Sequence, residues 1–327
     1  MKVRLHTRPT LMAVSLAFWL GHAPFAAAAP LLGASTTASS NGSVGVENTS
    51  SSPGYQSSST YAPDSHYDAY NSANAYAFSS STGAYAVSSW AQGYSGSGTA
   101  FASFLNTVVN NSAVAQHYTL SFKIYGGSLS TSAYATLDPD EYLRADYAAS
   151  IKVNGQKVWF SSAGIANIGG TTSFTKAGTD LNSGDDGSDG YYSWGSSYVT
   201  VDLGILDPGE SLDVLAELSD SALSNVGVYS YSGSGGYDGY GGYGGYGYCG
   251  YGEVATLAAA SSDAGLVEGC VASKGNASAF YGDPSEIDAD PLAFAVTANA
   301  VPEPGSLALL AMAGGAAALA RRRRRDR

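Results

Sequence analysis

The residues best able to do chemistry in this chain are its acids. Asp185-Asp186-Gly187-Ser188-Asp189-Gly190 spaces carboxylates as a calcium loop does, and calcium takes several oxygen ligands at once. Asp185, Asp186 and Asp189 are therefore candidate Ca2+ ligands. Two positions count against them: Gly187 stands where Asp or Asn is wanted, and Ser196 where the closing Glu belongs. Asp138-Pro139-Asp140-Glu141 and the run Asp283, Glu286, Asp288, Asp290 are similar carboxylate-rich loops. A solvated turn is the plainer reading of all three, so no cofactor is expected, with Ca2+ as the alternative.

Other catalytic constellations do not assemble. There is no Gly-x-Ser-x-Gly elbow, no His-Glu-x-x-His, and no Cys–His pairing. His66 and His117 are the only histidines between the end segments, and each stands alone in sequence. The expectation is a protein that is not an enzyme. A glycosidase needs only two carboxylates, so a glycan-active enzyme stays as the lesser alternative.

Tyr237, Tyr240, Tyr243 and Tyr246 recur every third residue within SGSGGYDGYGGYGGYGYCGYG. Glycine this dense costs too much entropy for a strand interior, and no Gly-Lys-Ser/Thr follows to make a phosphate loop. The stretch reads as a surface loop over residues 229–252. Its sharper reading is a set of exposed rings that stack on sugar faces or on one another.

These residues need a scaffold, and period-two alternation supplies it. In QHYTLSFKIYGG, Tyr118, Leu120, Phe122 and Ile124 face one way. Tyr76 and Phe78 alternate with small residues, Ser81-Thr82-Gly83 turns, and Tyr85 and Val87 return. DYAASIKVNGQKVWF reads as a hairpin on a type I′ Asn154-Gly155 turn. That register sets Ile151 against Val158, Ala149 against Phe160, and Lys152 against Lys157 at a mild cost. SYVTVDLGILDPGESLDVLAELS reads as another hairpin, with Val199, Val201 and Leu203 on one strand, a turn at Asp207-Pro208-Gly209, and Leu212, Val214, Ala216 and Leu218 on the return. A last strand spans Leu292 to Ala298. The fold class is all-β: an antiparallel β-sandwich or jelly roll over residues 66–300. Residues 29–65 hold few large apolar side chains and read as a Ser/Thr/Gly-rich linker or an edge.

The ends differ from this passenger. Lys2, Arg4 and Arg8 precede an apolar run from Leu11 to Leu20, and Ala26-Ala27-Ala28-Ala29-Pro30 offers small residues for cleavage. Residues 1–28 therefore read as a signal peptide, which implies general export machinery and signal peptidase as partners. Export to an oxidising compartment makes Cys249 and Cys270, the only two cysteines, a candidate disulfide. Free thiols or an intermolecular bridge are the alternatives. Residues 29–320 hold 26 acids against six bases, a net charge of about −20. Such a surface repels nucleic acid and anionic membrane.

At the other end Pro302-Glu303-Pro304 is followed by the uncharged stretch 305–320 and then by Arg321, Arg322, Arg323, Arg324 and Arg325. The apolar stretch is short for a full span, but arginines reach outward to the interface. They also sit where the positive-inside rule puts a cytoplasmic end. The prolines stop a helix from running back through the motif. Residues 301–327 thus read as a transmembrane sorting helix with an arginine membrane stop.

This order of elements resembles the PEP-CTERM sorting signal of Gram-negative bacteria. The resemblance covers only about the last 26 residues, Val301 onward. It implies a temporary inner-membrane anchor recognised near Pro302, Glu303 and Pro304 by an exosortase-type membrane peptidase, and a final place on the outer surface or in the extracellular matrix. It also implies a neighbourhood of exopolysaccharide and biofilm. The expected function is a non-catalytic structural or adhesive protein with extracellular polysaccharide as partner; the alternative is a carbohydrate-binding module with a defined glycan site.

Overall fold

The computed structural model describes residues 31–40, 43–44, 48–52, 56–63, 71–80, 85–184, 187–231, 270–282 and 294–301. Among them are nineteen strands and no helix. The first six are β1 (Leu31–Ser40), β2 (Ser43–Val44), β3 (Asn48–Ser52), β4 (Gln56–Pro63), β5 (Ser72–Ser79) and β6 (Tyr85–Gln92). Then come β7 (Gly96–Val109), β8 (Gln116–Ile124), β9 (Gly127–Ala133), β10 (Tyr142–Val153), β11 (Gln156–Ile168) and β12 (Thr171–Gly178). β13 (Tyr191–Trp194), β14 (Ser197–Leu206), β15 (Ser211–Asn225), β16 (Val228–Tyr231), β17 (Cys270–Ser273), β18 (Gly275–Gly282) and β19 (Phe294–Ala300) complete the order.

Two large antiparallel sheets pack face to face. The first runs β12-β11-β10-β15-β7-β1-β2, with β3 also on β1; the second runs β13-β9-β18-β6-β5-β4. Leu32, Ala34, Ala102, Phe104, Ala149, Ile151 and Leu218 of the first sheet meet Ala75, Ala77, Val87, Leu129 and Ala279 of the second in one core. The stretch 29–65 contributes rims to both sheets: β1 to β3 at one edge of the first, β4 at one edge of the second. Leu32, Ala34, Thr36 and Ala38 of β1 are buried, so small side chains suffice where the layers lie close. At Gly98 they touch: a Cβ there would fall within van der Waals contact of the backbone oxygen of Asn74, on β5 in the opposite sheet.

The aromatic residues fill the thicker part of the sandwich. Tyr85, Tyr118, Tyr125, Tyr147, Tyr192 and Tyr281 are buried, with Trp159 and Trp194. Ring contacts run from Phe174 to Tyr192 (4.9 Å), Trp194 (5.4 Å) and Tyr281 (5.2 Å), then on to Tyr85 (6.3 Å). Much of the tyrosine load among the described residues is therefore core.

A third sheet, β14-β8-β19, continues the second layer. β8 runs into β9 and β13 into β14 at a constant register: Trp194 pairs with Gly127 and Ser197 with Ile124. The ribbon breaks at Tyr125-Gly126, where Trp194 Nε1 donates to the Tyr125 carbonyl (3.1 Å), and a bulge between Asp202 and Gly204 shifts its register farther along β14. Tyr118, Leu120, Phe122 and Ile124 are all buried on one face, as the alternation requires.

Two hairpin expectations need correction. The Asn154-Gly155 turn forms with positive φ at both residues (47° and 79°), and Lys152 does pair with Lys157. A bulge after Ile151 then shifts the register, so Ile151 faces Trp159 and Ala149 faces Ser161. The slip buries the Trp159 ring against Phe122 (5.1 Å) and leaves Val158 and Phe160 exposed. The like charges separate onto other partners: Lys152 pairs with Glu217, and Lys157 lies over the Phe160 ring. The second correction concerns β14 and β15, which are not a hairpin. β14 pairs with β8, whereas β15 pairs with β7 and β10. Their apolar sides, including Leu203 and Leu212, face each other across the core, so the Asp207–Glu210 turn is an arch from one layer to the other.

Candidate functional site

The last strand is where the passenger meets its tail. β19 pairs antiparallel with β8, from Phe294 opposite Phe122 to Ala300 opposite Gln116. Val296 and Ala298 pack on the core while Thr297 and Asn299 are exposed, so one alternating strand is held by one apolar face. One further hydrogen bond extends the ladder, from the Val301 N–H to the Ala115 carbonyl (3.0 Å). The next residue, Pro302, has no N–H with which to continue it.

A buried asparagine builds the end of the sandwich that receives this strand. Asn110 is 0 % exposed. Its Nδ2 donates to Val114 O (2.9 Å) and Leu206 O (2.8 Å), and its Oδ1 accepts from the Ser112 N–H (3.0 Å) and hydroxyl (2.7 Å). Its backbone accepts from Gly209 N (2.8 Å) and donates to Glu210 O (2.9 Å). One side chain thus ties the 110–115 turn, which carries Ala115, to the arch after β14. The only sequence signal for it was the Asn-Asn-Ser turn before β8.

A second centre lies at the neck of the Tyr/Gly stretch. β16 and β17 pair from Val228 opposite Ser273 to Tyr231 opposite Cys270. The four spaced tyrosines, 237, 240, 243 and 246, belong to the connection between these strands and lie outside the described residues. So does Cys249; Cys270 is placed by its backbone alone. Beneath the neck, Glu141 Oε1 accepts from the Gly227 N–H (2.6 Å) and Oε2 from the Asp138 N–H (2.7 Å). Lys274 Nζ reaches Glu141 Oε2 (3.0 Å) and Asp138 Oδ2 (2.7 Å). Burial favours a neutral Glu141, but the two amides and the ammonium outweigh it and hold its carboxyl below the usual value. Hydrogen bonds to Asp138 and Glu141 hold Lys274 above its usual value. The solvated turn expected at 138–141 is therefore corrected at Glu141, which is buried.

The remaining candidates are scattered. Asp185 and Asp186 lie outside the described residues. Asp189 Oδ1 accepts from the Tyr191 N–H (3.0 Å), which makes it a turn cap. Among the described residues no group of three or more His, Cys, Asp or Glu side chains is placed to hold a metal. The acidic run from Asp283 to Asp290 falls in the connection between β18 and β19, outside the described residues. Tyr281 pairs with Gly127 and Phe294 with Phe122, so the described strands on either side of this connection both pair with the β8–β9 ribbon. His117 is alone in sequence but not in space: its Nε2 lies 2.8 Å from Asp202 Oδ1 on the neighbouring strand.

The fold and this junction define an all-β passenger whose last strand passes straight into a C-terminal sorting segment. Pro302, Glu303, Pro304 and the arginines 321–325 lie outside the described residues. Residues 300–325 match the PEP-CTERM protein-sorting motif. The motif marks an exported protein, sorted by way of the membrane and targeted by exosortase, itself a membrane protein. No curated protein matches the chain.

Proposed function

We propose that the protein is an exosortase-processed structural or adhesive component of the extracellular polysaccharide or biofilm matrix, without catalytic activity. The observation that carries this reading is the placement of the sorting motif, which begins at the last residue of the last strand. In this reading residues 1–28 are removed as a signal peptide during export. The stretch 305–320 then holds the chain in the inner membrane, with Arg321 to Arg325 in the cytoplasm. Cleavage near Glu303 releases a passenger whose final strand, β19, keeps its pairing with β8, so removal of the tail leaves the fold whole. Calcium has no role in this reading, and millimolar Ca2+ should leave the melting temperature unchanged or nearly so, since only a ligand bound to the native state stabilises it.

The test is co-fractionation with the host's own exopolysaccharide. Matrix polysaccharide isolated from the producing cells should retain the mature passenger in bulk. A passenger that stays in the soluble fraction, with no enrichment on that polysaccharide, contradicts the matrix role.

A further inference from the structure

The two outer faces of the sandwich differ in charge. The first sheet presents Arg144, Asp146, Lys152, Asp213 and Glu217 on its outer face. None of the six strands of the second sheet contains an Asp, Glu, Lys, Arg or His. In a passenger this acidic, a whole sheet without a charge sets that face apart.

The same face carries aromatic rings in a defined arrangement. Val87, Ala279 and Leu129 point into the core, so the residues alternating with them point outward. One outward row runs Trp90, Ser278, Ser130, Tyr191 across β6, β18, β9 and β13. Trp90 is half-buried and Tyr191 is 48 % exposed. At the usual strand spacing these rings lie roughly 14 Å apart, with two serines between them. Phe280, also half-buried, stands one register step away on β18. A sheet face is broad, gently twisted and without a deep cleft, so it suits an extended polymer better than a compact ligand.

We infer that the outer face of the second sheet is a docking surface for a neutral polysaccharide chain laid across the strands, with Trp90, Phe280 and Tyr191 stacking on sugar faces and Ser130 and Ser278 bonding its hydroxyls. The inference rests on the matrix reading above and names the surface and ligand class that serve it. Neutrality follows from the face: a charged glycan finds no counter-charge there, and an uncharged one avoids the acids elsewhere. Sugar C–H faces suit aromatic rings, and the hydroxyls between the rings want donors and acceptors, which a polysaccharide supplies. A second copy of the chain would instead bring another ring-and-serine face, and the dimer it would form is read out in the experiment below.

The experiment is depletion of the mature passenger from solution by cellulose, amylose and a galactomannan, with alginate as the acidic counterpart. At least one neutral polymer should retain it, and high salt should not release it. Trp90→Ala and Tyr191→Ala should each weaken retention about tenfold, the effect of losing one stacked ring, with an unchanged melting curve as the check on folding. Trp90→Phe should keep most of the binding yet abolish the change in tryptophan emission on binding, because Trp159 and Trp194 are buried. Five outcomes would overturn the inference: retention by alginate alone; retention by none of the neutral polymers; retention unchanged in both alanine variants; loss instead on replacing Tyr237, Tyr240, Tyr243 and Tyr246 by Ser; or a dimer that Trp90→Ala dissociates. Any of these in a passenger that still co-fractionates with the host matrix overturns the face alone. A wild-type passenger that fails to co-fractionate fails the matrix role itself.

Discussion

Lys274 and Glu141 meet beneath the neck of the Tyr/Gly stretch, Nζ to Oε2 at 3.0 Å, although 133 residues separate them. The Lys274 N–H also donates to the Gly227 carbonyl (2.8 Å), and the Gly227 N–H donates to Glu141. Three connections are thereby closed into one circuit: 134–141, 226–227 and 274.

Glu141→Ala should destabilise the passenger by about 1–3 kcal/mol, because buried amides lose their acceptor. The pH dependence has a definite sign. A carboxyl held below its usual value contributes stability above the ordinary carboxylate range and loses it as pH falls through the depressed value. Urea unfolding across acid pH should show a steeper loss for wild type than for Glu141→Gln.

Asp220 works in the opposite direction. It is buried on β15, and neither carboxylate oxygen has a hydrogen-bond partner among the described residues. Burial drives its carboxyl well above the usual value, and the nearby Ser89 hydroxyl and Ala100 amide offset this only in part. A raised carboxyl gives stability that is complete below the ordinary range and is lost as pH rises toward the raised value. Asp220→Asn should therefore match wild type in acid and exceed it by about 1–3 kcal/mol at neutral pH. Thermal melts at the two pH values check this.

Gly98 and Gly33 should respond differently to the same change. Gly98 is pressed against backbone of the opposite sheet, which cannot rotate away, so Gly98→Ala should cost about 1–3 kcal/mol. A Cβ on Gly33 meets the Ser103 hydroxyl, which can turn aside. Gly33→Ala should be neutral or stabilising by about 0.4–1 kcal/mol. Chemical denaturation of the pair gives the comparison.

Much of the architecture was legible in the sequence because alternation and turn chemistry are local. Strand β8 and the Asn154-Gly155 turn follow from four alternating apolar residues and one dipeptide. What escaped is what depends on partners far along the chain. The Asp207-Pro208-Gly209 turn reads alike whether its strands pair or arch across the core; only the competing partners β7, β8 and β10 decide it. The bulge after Ile151 exists because Trp159 gains burial by slipping inward. Ala and Ser in β1 gave no apolar signal, yet a thin part of the sandwich needs nothing larger. For the site, the sorting segment was readable as a linear motif. The Asn110 hub, the Glu141–Lys274 pair and the His117–Asp202 pair were not, since each is assembled from separate strands and turns.

The candidate disulfide has a direct test. Cys270 sits opposite Tyr231 at the end of the neck, and a bond to Cys249 would close a loop within the connection. Non-reducing peptide mapping of the secreted protein should link Cys249 to Cys270 in one chain, and reduction should cost about 3 kcal/mol by loop-entropy arithmetic. Free thiols at both positions would sink this pairing.

The sorting account is tested most directly by the intact mass of the protein in matrix and membrane fractions. In the proposed route the arginines would hold the tail in place, the short apolar stretch would anchor it weakly, and Glu303 between two prolines would mark the chain for cleavage just past β19. Glu303→Ala, or deletion of the cognate exosortase, should leave export intact and the chain uncut in the membrane fraction. Wild-type protein from the matrix should have lost residues 1–28 and the arginine tail while keeping β19. Wild-type matrix protein that still carries Arg321 to Arg325 would make the segment a permanent anchor and contradict the account.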